Sequence, residues 1–513
     1  MTGGIGALPP RPVAFSLMIA LGLAAVVRMV AVLPGPLTPG DGGLIVVFVD
    51  DLRRAGFVMP DVTTYNFADL PFVYPPLGLY GAALLGEVLS LSSLDSVRLV
   101  AALLSLATVG AFALLALRLL PAVAAAGAVL MYALMPHAYD AIVAGGGVTR
   151  GAGLLLAMLA MWLAAAPSGV TARRVVGIGV LLGLAALSHP QTAVYGALAS
   201  TVLVYRPGLG LATTMARLAI IGASAFLVTL PWLFVAATTH GIDTVLAPGN
   251  RVDPALGLAR LLSLTFSGSG FTDLFLVMGT LGLLVELLRR RWRLPLLLGC
   301  LIFVGEANFI GAVPWSLLGG AAVAFAAQGI GVLVSPHDRA LRVAVALAVL
   351  FGAVVSSVGS VVDEFSRLQR VSGDHVAAME WVRDGAEPGA RFIVATVVGW
   401  GEDEISEWFP AVAQRQSVAT VQGTEWLGPE GHRDQRNRHQ AVLRCTPSTD
   451  RCMAEWAASE GLADAWLFIP KGRVNGPLSA DDCCPALREL VHDSLFYELI
   501  YDGAGATIAR PID

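Results

Sequence analysis

Apolar segments long enough to cross a bilayer follow one another along residues 1–362 of this chain. A membrane-spanning helix needs about 20 apolar residues. The whole chain is 56% hydrophobic and only 14% charged, with a mean hydropathy of +0.71, which is typical of a multi-pass membrane protein. About eleven spans are predicted. They cover residues 13–33, 97–119, 121–139, 151–166, 175–188, 191–205, 214–236, 271–288, 294–312, 315–334 and 341–360.

Arginine placement predicts the orientation of these spans in the cell membrane. Basic residues mark cytoplasmic loops, and the densest basic run is Arg289-Arg290-Arg291-Trp292-Arg293. With this run inside, the amino terminus is cytoplasmic and the carboxyl end extracytoplasmic. Residues 34–96 then form a long outer loop. This loop is predicted to hold an interfacial helix over Leu44–Gly56 and a membrane-lying helix over Tyr74–Leu91.

The last part of the chain differs from the rest and predicts a second domain. Residues 363–513 hold 24 of the 38 acidic residues and 14 of the 33 basic ones. We therefore divide the chain into a transmembrane domain, residues 1–362, and an extracytoplasmic soluble α/β domain, residues 363–513. A net charge of −5 argues against nucleic acid as a partner.

Within this second domain, strands are predicted to alternate with helices, which favours a mostly parallel sheet. The predicted strands are Arg391–Val397, Ala465–Ile469 and Phe496–Tyr501. The predicted helices are Asp374–Asp384, Glu404–Ala413, Met453–Ser459 and Asp481–His492. Asp403, Glu404 and Glu407 share one helical neighbourhood and are expected on a solvated face, as are Asp50, Asp51, Arg53 and Arg54 in the first outer loop.

Four cysteines of the C-terminal part are disulfide candidates: Cys445, Cys452, Cys483 and Cys484. An external compartment permits disulfides, and four cysteines allow three pairings among which the sequence does not choose. Pairing of Cys445 with Cys452 is the simplest and leaves two adjacent cysteines; crosswise pairing is equally open.

Asp41 is the residue with the greatest functional weight. It lies in Thr38-Pro39-Gly40-Asp41-Gly42-Gly43, at the outer end of the first span. Two interpretations compete. Asp is a preferred residue for capping the amino end of the following helix, whereas a carboxylate at the membrane surface also suits catalysis on a membrane-bound substrate. The second outer segment of interest begins at Tyr74-Pro75-Pro76, where proline suits the first turn of a helix.

Further outer-loop residues extend the candidate site. Asp140 ends one predicted span and Arg150 begins the next; Asp140 is either a ligand-binding acid or a loop cap. Arg150 either binds a phosphate through several donors or extends to lipid headgroups. His189 is either a sugar- or phosphate-binding residue or a structural histidine at a helical turn. Glu306 lies near the outer end of a span, where a carboxylate is expected to have a partner or a wet cavity. Arg251 belongs to another outer loop and is a candidate for phosphate binding. Trp400, Trp408 and Trp426 are either a sugar-stacking platform or core aromatics.

These residues, in this order, resemble the GT-C class of membrane glycosyltransferases. The class includes protein O-mannosyltransferases, lipid A aminoarabinose transferases and mycobacterial arabinosyltransferases. The resemblance rests on Asp41 after the first span, on Tyr74-Pro75-Pro76-Leu77-Gly78 and on Asp140. The C-terminal part is similar to uncharacterised bacterial membrane proteins of this kind. It is similar through Glu407-Trp408-Phe409-Pro410, Arg415-Gln416-Ser417 and Gln422-Gly423-Thr424-Glu425-Trp426.

The resemblance implies a sugar donor carried on polyprenyl phosphate and an acceptor presented from outside, either an envelope glycan, a lipid or a protein. Asp41 would be the catalytic base, and Asp140 would bind the acceptor or, together with Asp41, a divalent cation such as Mg²⁺ or Mn²⁺. The chain has a single lysine, Lys471, so Arg150 or Arg251 would bind the donor phosphate. Because a polyprenyl phosphate leaves as a stable anion, a base and a phosphate-binding arginine suffice for an inverting transfer.

Two other classes of function remain open on the sequence. A transporter or flippase for a lipid-linked substrate would need inverted repeats or charges in the middle of spans. Neither is found, apart from Arg28 and Glu306 within or near spans. A non-catalytic envelope assembly protein would tolerate the loss of Asp41.

Overall fold

The structure, a computed structural model, describes residues 11–32, 37, 41–166, 171–206, 208, 210–247, 273–304, 308–333, 371–472, 474 and 482–512. The predicted span 341–360 and the candidate site residues Arg251 and Glu306 lie outside these ranges.

Fourteen α-helices form the described N-terminal part. They are α1 (Arg11–Val32), α2 (Gly42–Arg54), α3 (Leu77–Val88), α4 (Ser93–Leu119), α5 (Ala122–Leu134), α6 (Asp140–Val143), α7 (Gly147–Ala164), α8 (Ala172–Ala186), α9 (Pro190–Val204), α10 (Leu211–His240), α11 (Ile242–Leu246), α12 (Asp273–Leu288), α13 (Arg293–Gly299) and α14 (Asn308–Leu333). Among the described helices, α4, α7, α10 and residues Phe309–Gln328 of α14 are long and apolar enough to cross a membrane. The fold is therefore that of a helical membrane protein with a C-terminal sheet.

The predicted spans coincide with observed helices up to α12 and diverge after it. The single span predicted over residues 294–312 is divided between α13, a 3₁₀ turn at Cys300–Phe303 and the start of α14. The break predicted before residue 315 is absent. Helix α14 is continuous through this position and contains Pro314 in its interior. Membrane helices tolerate proline where neighbouring elements surround it, and α14 packs extensively against α12 and α5.

The first loop contains the two predicted short helices, α2 and α3. With 13 and 12 residues, both are too short to span a bilayer. One face of α2 is buried, including Leu44, Phe48 and Leu52. Asp51 is also buried, contrary to the solvated face expected for it, because it accepts hydrogen bonds from the Thr63 hydroxyl at 2.7 Å and from the Thr64 backbone N–H at 2.8 Å. Asp51 thereby ties the loop to α2.

The C-terminal part contains one five-stranded sheet. Its strands are β1 (Arg391–Val394), β2 (Gln416–Ser417), β3 (Trp466–Pro470), β4 (Tyr497–Asp502) and β5 (Ala506–Pro511), in the spatial order β2-β1-β3-β5-β4. Strand β1 runs parallel to β2 and β3, whereas β5 runs antiparallel to β3 and β4. The sheet is thus mixed and not mostly parallel as predicted, because β4 and β5 are consecutive strands joined by a short turn.

Five helices flank this sheet among the described residues. They are α15 (Gly373–Gly385), α16 (Glu404–Ala413), α17 (Gly428–Cys445), α18 (Asp450–Ser459) and α19 (Pro485–His492). Helix α16 has the predicted bounds. Helix α17 was not predicted, because its sequence is strongly polar and two of its four buried residues are His432 and His439. One disulfide, Cys445–Cys452, joins the end of α17 to α18, and a second joins the neighbours Cys483 and Cys484.

Candidate active site

Asp41 immediately precedes α2 but does not cap it. Its side chain makes no hydrogen bond to the first turn of that helix within the described structure. The capping acceptor comes instead from the C-terminal part, about 360 residues later in the chain. There, Glu407 Oε1 accepts hydrogen bonds from the backbone N–H of Gly43 at 3.0 Å and of Leu44 at 3.4 Å. Two of the first-turn N–H groups are therefore satisfied while the Asp41 carboxylate is directed elsewhere.

Two side chains from distant parts of the chain hold the Asp41 carboxylate. Arg150 Nη2, on α7, lies 3.0 Å from Asp41 Oδ2. Gln422 Nε2, from the C-terminal part, donates a hydrogen bond to Asp41 Oδ1. The Asp41 side chain is 26% exposed and that of Arg150 is 16% exposed, so a substrate can still reach the carboxylate.

Two glycines allow the three segments to meet around Asp41. A Cβ atom at Gly145, which precedes α7, would overlap the backbone of Asp41 and Gly42. A Cβ atom at Gly43 would lie 2.7 Å from the backbone oxygen of Glu407. Gly43 and Gly145 thus allow two other backbone segments to approach the Asp41 segment closely. One side of the Asp41 segment packs against the residues before α7, and the other side packs against α16.

Glu407 is a buried carboxyl on α16, which corrects the solvated face expected for Asp403, Glu404 and Glu407. All three residues are at most 5% exposed. Burial raises the pKa of Glu407 well above its usual value, and the nearby Asp41 charge raises it further. The two backbone N–H groups that it accepts from oppose this rise. Glu407 Oε2 has no hydrogen-bond partner within the described residues.

The residues after α2 fasten the first loop to the C-terminal part. The Tyr65 hydroxyl donates to the backbone oxygen of Glu407 at 2.7 Å. The Asn66 side chain makes a paired contact with the Ser417 backbone: its amide donates to the oxygen at 3.0 Å and its oxygen accepts from the N–H at 2.7 Å. All three residues are buried. The position of Asp41 is thus determined jointly by the helical N-terminal part and the C-terminal part.

Aromatic side chains border the site next to Arg150. The Tyr74 and Trp426 rings meet edge to face, with centroids 5.4 Å apart, and Phe48 packs against both. The Tyr74 hydroxyl lies 3.5 Å from the hydroxyl of Thr149, the neighbour of Arg150. Trp426 belongs to the same segment as Gln422, so this segment contributes both a carboxylate partner and an aromatic face.

Asp140 has a different environment from Asp41. Its Oδ2 lies 3.2 Å from His137 Nδ1, and its Oδ1 accepts from the Ala141 N–H at 2.5 Å. Asp140 also acts electrostatically on Arg28 of α1, a fully buried arginine that donates to the oxygens of Ser105 and Tyr132. The described hydrogen bonds of Asp140 are thus with its own loop, to His137 and Ala141.

The remaining predicted site residues are dispersed. His189 precedes α9 at its amino end, where it is buried and its ring packs edge to face on Phe309, with centroids 5.8 Å apart. Arg251 and Glu306 lie outside the described residues. The structure therefore gathers Asp41, Arg150 and Tyr74, and it places Asp140 and His189 in surroundings of their own.

The described residues do not fit a preformed divalent-cation site at Asp41 and Asp140. No group of three or more His, Cys, Asp or Glu side chains within the described ranges is arranged to hold a metal ion. Both carboxylate oxygens of Asp41 accept hydrogen bonds from N–H donors, Oδ2 from Arg150 and Oδ1 from Gln422.

No protein-family model and no curated protein sequence matches this chain. Solved structures do match its fold. ArnT from Cupriavidus metallidurans, solved with bound undecaprenyl phosphate, aligns with a TM-score of 0.58 over 96% of this chain and 97% of its own, at 14% identity. Archaeal oligosaccharyltransferase AglB from Archaeoglobus fulgidus, in complex with an inhibitory peptide and a dolichol-phosphate, aligns with a TM-score of 0.55 over 89% of this chain and 69% of its own, at 14% identity.

Both of these proteins are GT-C glycosyltransferases. The chain described here has the GT-C fold. The arabinofuranosyltransferase AftD from mycobacteria matches it too, with a TM-score of 0.54 and 16% identity over 99% of this chain, although the match spans only 40% of AftD. The resemblance drawn from Asp41, Tyr74-Pro75-Pro76 and Asp140 is therefore confirmed at the level of the fold.

Two residues of the site on this GT-C fold were missed as site residues from sequence. Gln422 was noticed only as part of a motif shared with similar proteins, and Glu407 was expected at a solvated face. The signal that could have found Glu407 is its place among Trp408, Phe409 and Pro410, since an acid inside an apolar run is expected to have a specific partner.

Proposed function

We propose that this chain is a polyprenyl-phosphate-dependent glycosyltransferase that transfers a sugar to an extracytoplasmic acceptor with inversion at the anomeric carbon. The observation that carries the proposal is the state of Asp41. On a GT-C fold, the Asp41 carboxylate at the amino end of α2 is relieved of its capping role by Glu407. It is oriented by Arg150 and Gln422 and remains accessible.

In the proposed reaction, Asp41 removes the proton from an acceptor hydroxyl. The hydroxyl oxygen then attacks the anomeric carbon of the donor, and the bond from that carbon to the phosphate oxygen breaks. The electron pair leaves with the polyprenyl phosphate, which is stable as an anion, so the leaving group needs no general acid. The acceptor proton stays on Asp41 until it passes to water.

Arg150 supports the proposal as a cation fixed at the site. It contacts Asp41 Oδ2 at 3.0 Å, and its guanidinium is a planar, permanently charged group of the kind that binds phosphate. We propose that this positive charge stabilises the donor phosphate, where negative charge develops as the bond breaks. Trp426 and Tyr74 offer apolar ring faces of the kind on which sugars stack.

The proposed topology places this site and the C-terminal part outside the cell, with residues 363–513 as an extracytoplasmic domain. The arginine-rich helix ends support this orientation, because they lie at the opposite ends of α4 and α7 from Asp41. Helix α4 has 27 residues, so its two ends are roughly 40 Å apart, about the full thickness of a bilayer.

The deciding experiment compares Asp41→Asn with the matched control Asp50→Asn, which alters a half-exposed carboxylate on α2. Release of polyprenyl phosphate would be measured from a panel of polyprenyl-phosphate mannose, arabinose and aminoarabinose. General-base assistance contributes about a hundredfold or more to the rate, so Asp41→Asn should lower release by at least that factor while Asp50→Asn does not. A fully active Asp41→Asn protein would overturn the base assignment, and lipid movement across vesicles without sugar transfer would favour a flippase.

A further inference from the structure

A cavity of about 600 Å³ lies at the end of the helices opposite to Asp41. It is bounded by the junction between α4 and α5, by the carboxyl ends of α7 and α9, and by the junction between α12 and α13. These elements are far apart in sequence and are brought together by helix packing alone. None of the residues assigned to the Asp41 site lines this cavity.

Positive charge dominates the described lining. Five arginines face the cavity, together with a single acid, Glu286, so positive charge exceeds negative by four. The arginines are Arg118, Arg206, Arg289, Arg291 and Arg293. Like charges brought together around one cavity repel one another, and a bound anion relieves that repulsion.

The described contacts of Arg118, Arg289 and Arg291 within the protein neutralise little of this charge. Arg118 donates to the backbone oxygen of Trp162 at 2.6 Å and lies over its ring, and Arg289 donates to the neutral amide oxygen of Gln328 at 3.3 Å. The ion pair between Arg291 and Glu286 is long, at 3.9 Å, and Arg291 is 62% exposed. Several guanidinium donors thus remain available to a ligand with many acceptor oxygens.

The remaining walls identify the ligand as an amphiphile. Leu119, Leu120 and Leu294 line the same space as the arginines, and the exposed indole of Trp292 lies at its edge. Tryptophan is enriched at membrane interfaces, and guanidinium groups bind phosphate through paired hydrogen bonds. Basic pockets between membrane helices are a recurring place for anionic lipid headgroups.

We propose that this cavity is a binding site for the phosphate group of a membrane lipid, on the membrane face opposite to Asp41. The site gathers guanidinium groups from several helices around one space, which distinguishes it from single arginines that extend to headgroups independently. Its ligand is either an anionic phospholipid or a polyprenyl phosphate, which share the lipid-phosphate chemistry. The proposal is independent of the proposed sugar transfer.

The test measures lipid binding to the full-length protein in detergent by native mass spectrometry. The probes are dioleoyl-phosphatidylglycerol, undecaprenyl phosphate, dioleoyl-phosphatidylcholine and inorganic phosphate. The cavity variant is Arg289→Gln with Arg291→Gln. The control is Arg173→Gln with Arg290→Gln, which removes the same charge from exposed positions outside the cavity lining.

Loss of two charged hydrogen-bonding groups should weaken binding by about tenfold or more. We expect this loss in the cavity variant and not in the control. The loss of binding should be seen for phosphatidylglycerol if the ligand is a phospholipid. It should be seen for undecaprenyl phosphate alone if the ligand is a polyprenyl lipid. Phosphatidylcholine, a zwitterion, should bind weakly to every form. Equal binding by the cavity variant and the control would overturn the proposal, as would binding of inorganic phosphate without either phosphate lipid.

If the glutamine variant fails to fold, Arg289→Lys with Arg291→Lys provides the second test, because it keeps the charge and loses only the paired donor geometry. Binding of the phosphate lipid should then fall to a lesser extent. Unchanged binding in a folded lysine variant would show that these two guanidinium groups do not contact the phosphate and would overturn their assignment.

Discussion

Glu407 Oε1 accepts a hydrogen bond of 3.0 Å from the backbone N–H of Gly43, a position that Asp41 itself would ordinarily serve. The acid that caps the helix and the acid proposed as the catalytic base are thus two different residues from two different parts of the chain. This division of roles makes the C-terminal part a structural component of the site in the membrane body.

Replacing Glu407 with glutamine should reveal the cost of its burial as a function of pH. Burial raises the pKa of this carboxyl in the folded protein above its ordinary 4.5. The folded state therefore binds the proton more tightly than the unfolded state. The contribution of Glu407 to stability is complete below pH 4.5 and is lost as the pH rises through the folded pKa.

Glutamine cannot ionise, so Glu407→Gln should become more stable than the wild type as the pH rises above 4.5, with a constant difference beyond the folded pKa. Thermal unfolding of the detergent-purified protein across this range measures the effect. The exposed Glu402→Gln variant is the control and should follow the wild type. A pH-independent difference between wild type and Glu407→Gln would contradict the raised pKa.

Gln422→Ala should lower the turnover number for sugar transfer while leaving the KM for the donor nearly unchanged. The amide donates to Asp41 Oδ1, so its loss leaves the carboxylate held by Arg150 alone and free to rotate. Loss of one hydrogen bond to a charged group corresponds to about 1.5–3 kcal/mol, or about 10- to 150-fold in rate. Steady-state kinetics would be compared with those of Gln440→Ala, an exposed change on α17. A change confined to KM would assign Gln422 to substrate binding.

Arg150→Ala should raise the KM for the polyprenyl-phosphate donor by about tenfold or more, because the donor phosphate loses a charged hydrogen-bonding partner. Arg150→Lys keeps the charge but not the planar fork, so it should recover only part of the affinity. The control is Arg433→Ala, which removes an exposed arginine from α17. An unchanged donor KM in Arg150→Ala would remove this residue from the phosphate site and leave it as a partner of Asp41 only.

Peptide mapping without reduction should recover Cys445 linked to Cys452, and Cys483 linked to Cys484, in protein from its native membrane. The Cys445–Cys452 bridge ties α17 to α18, and closing so short a loop stabilises the folded state by about 2–3 kcal/mol. Replacing both residues with alanine should therefore destabilise the C-terminal part by a similar amount. Freely alkylated thiols at all four positions would contradict both the bridges and the extracytoplasmic placement.

The local pattern of the sequence was sufficient for the helical membrane body, for α16 and for the class of fold. A helix satisfies its own backbone hydrogen bonds. Its length can be predicted from a run of consecutive apolar residues, such as the run in α4. The local pattern did not predict α17, because its buried face is formed partly by histidines. It also did not predict the mixed sheet, because strand direction depends on partners that are distant in the chain.

The site divides in the same way. Asp41 and Arg150 were identifiable from sequence, because charged residues next to apolar spans are few and conspicuous. Three contacts of the site join residues that are 109 to 381 positions apart in the chain. They are the pairing of Asp41 with Arg150, the capping of α2 by Glu407 and the hydrogen bond from Gln422 to Asp41. Such contacts are decided by how the first loop, α7 and the C-terminal part pack together, and no local pattern of residues records them. The sequence therefore determined which groups were available for chemistry, and the tertiary structure decided which carboxylate is buried as a cap and which remains accessible.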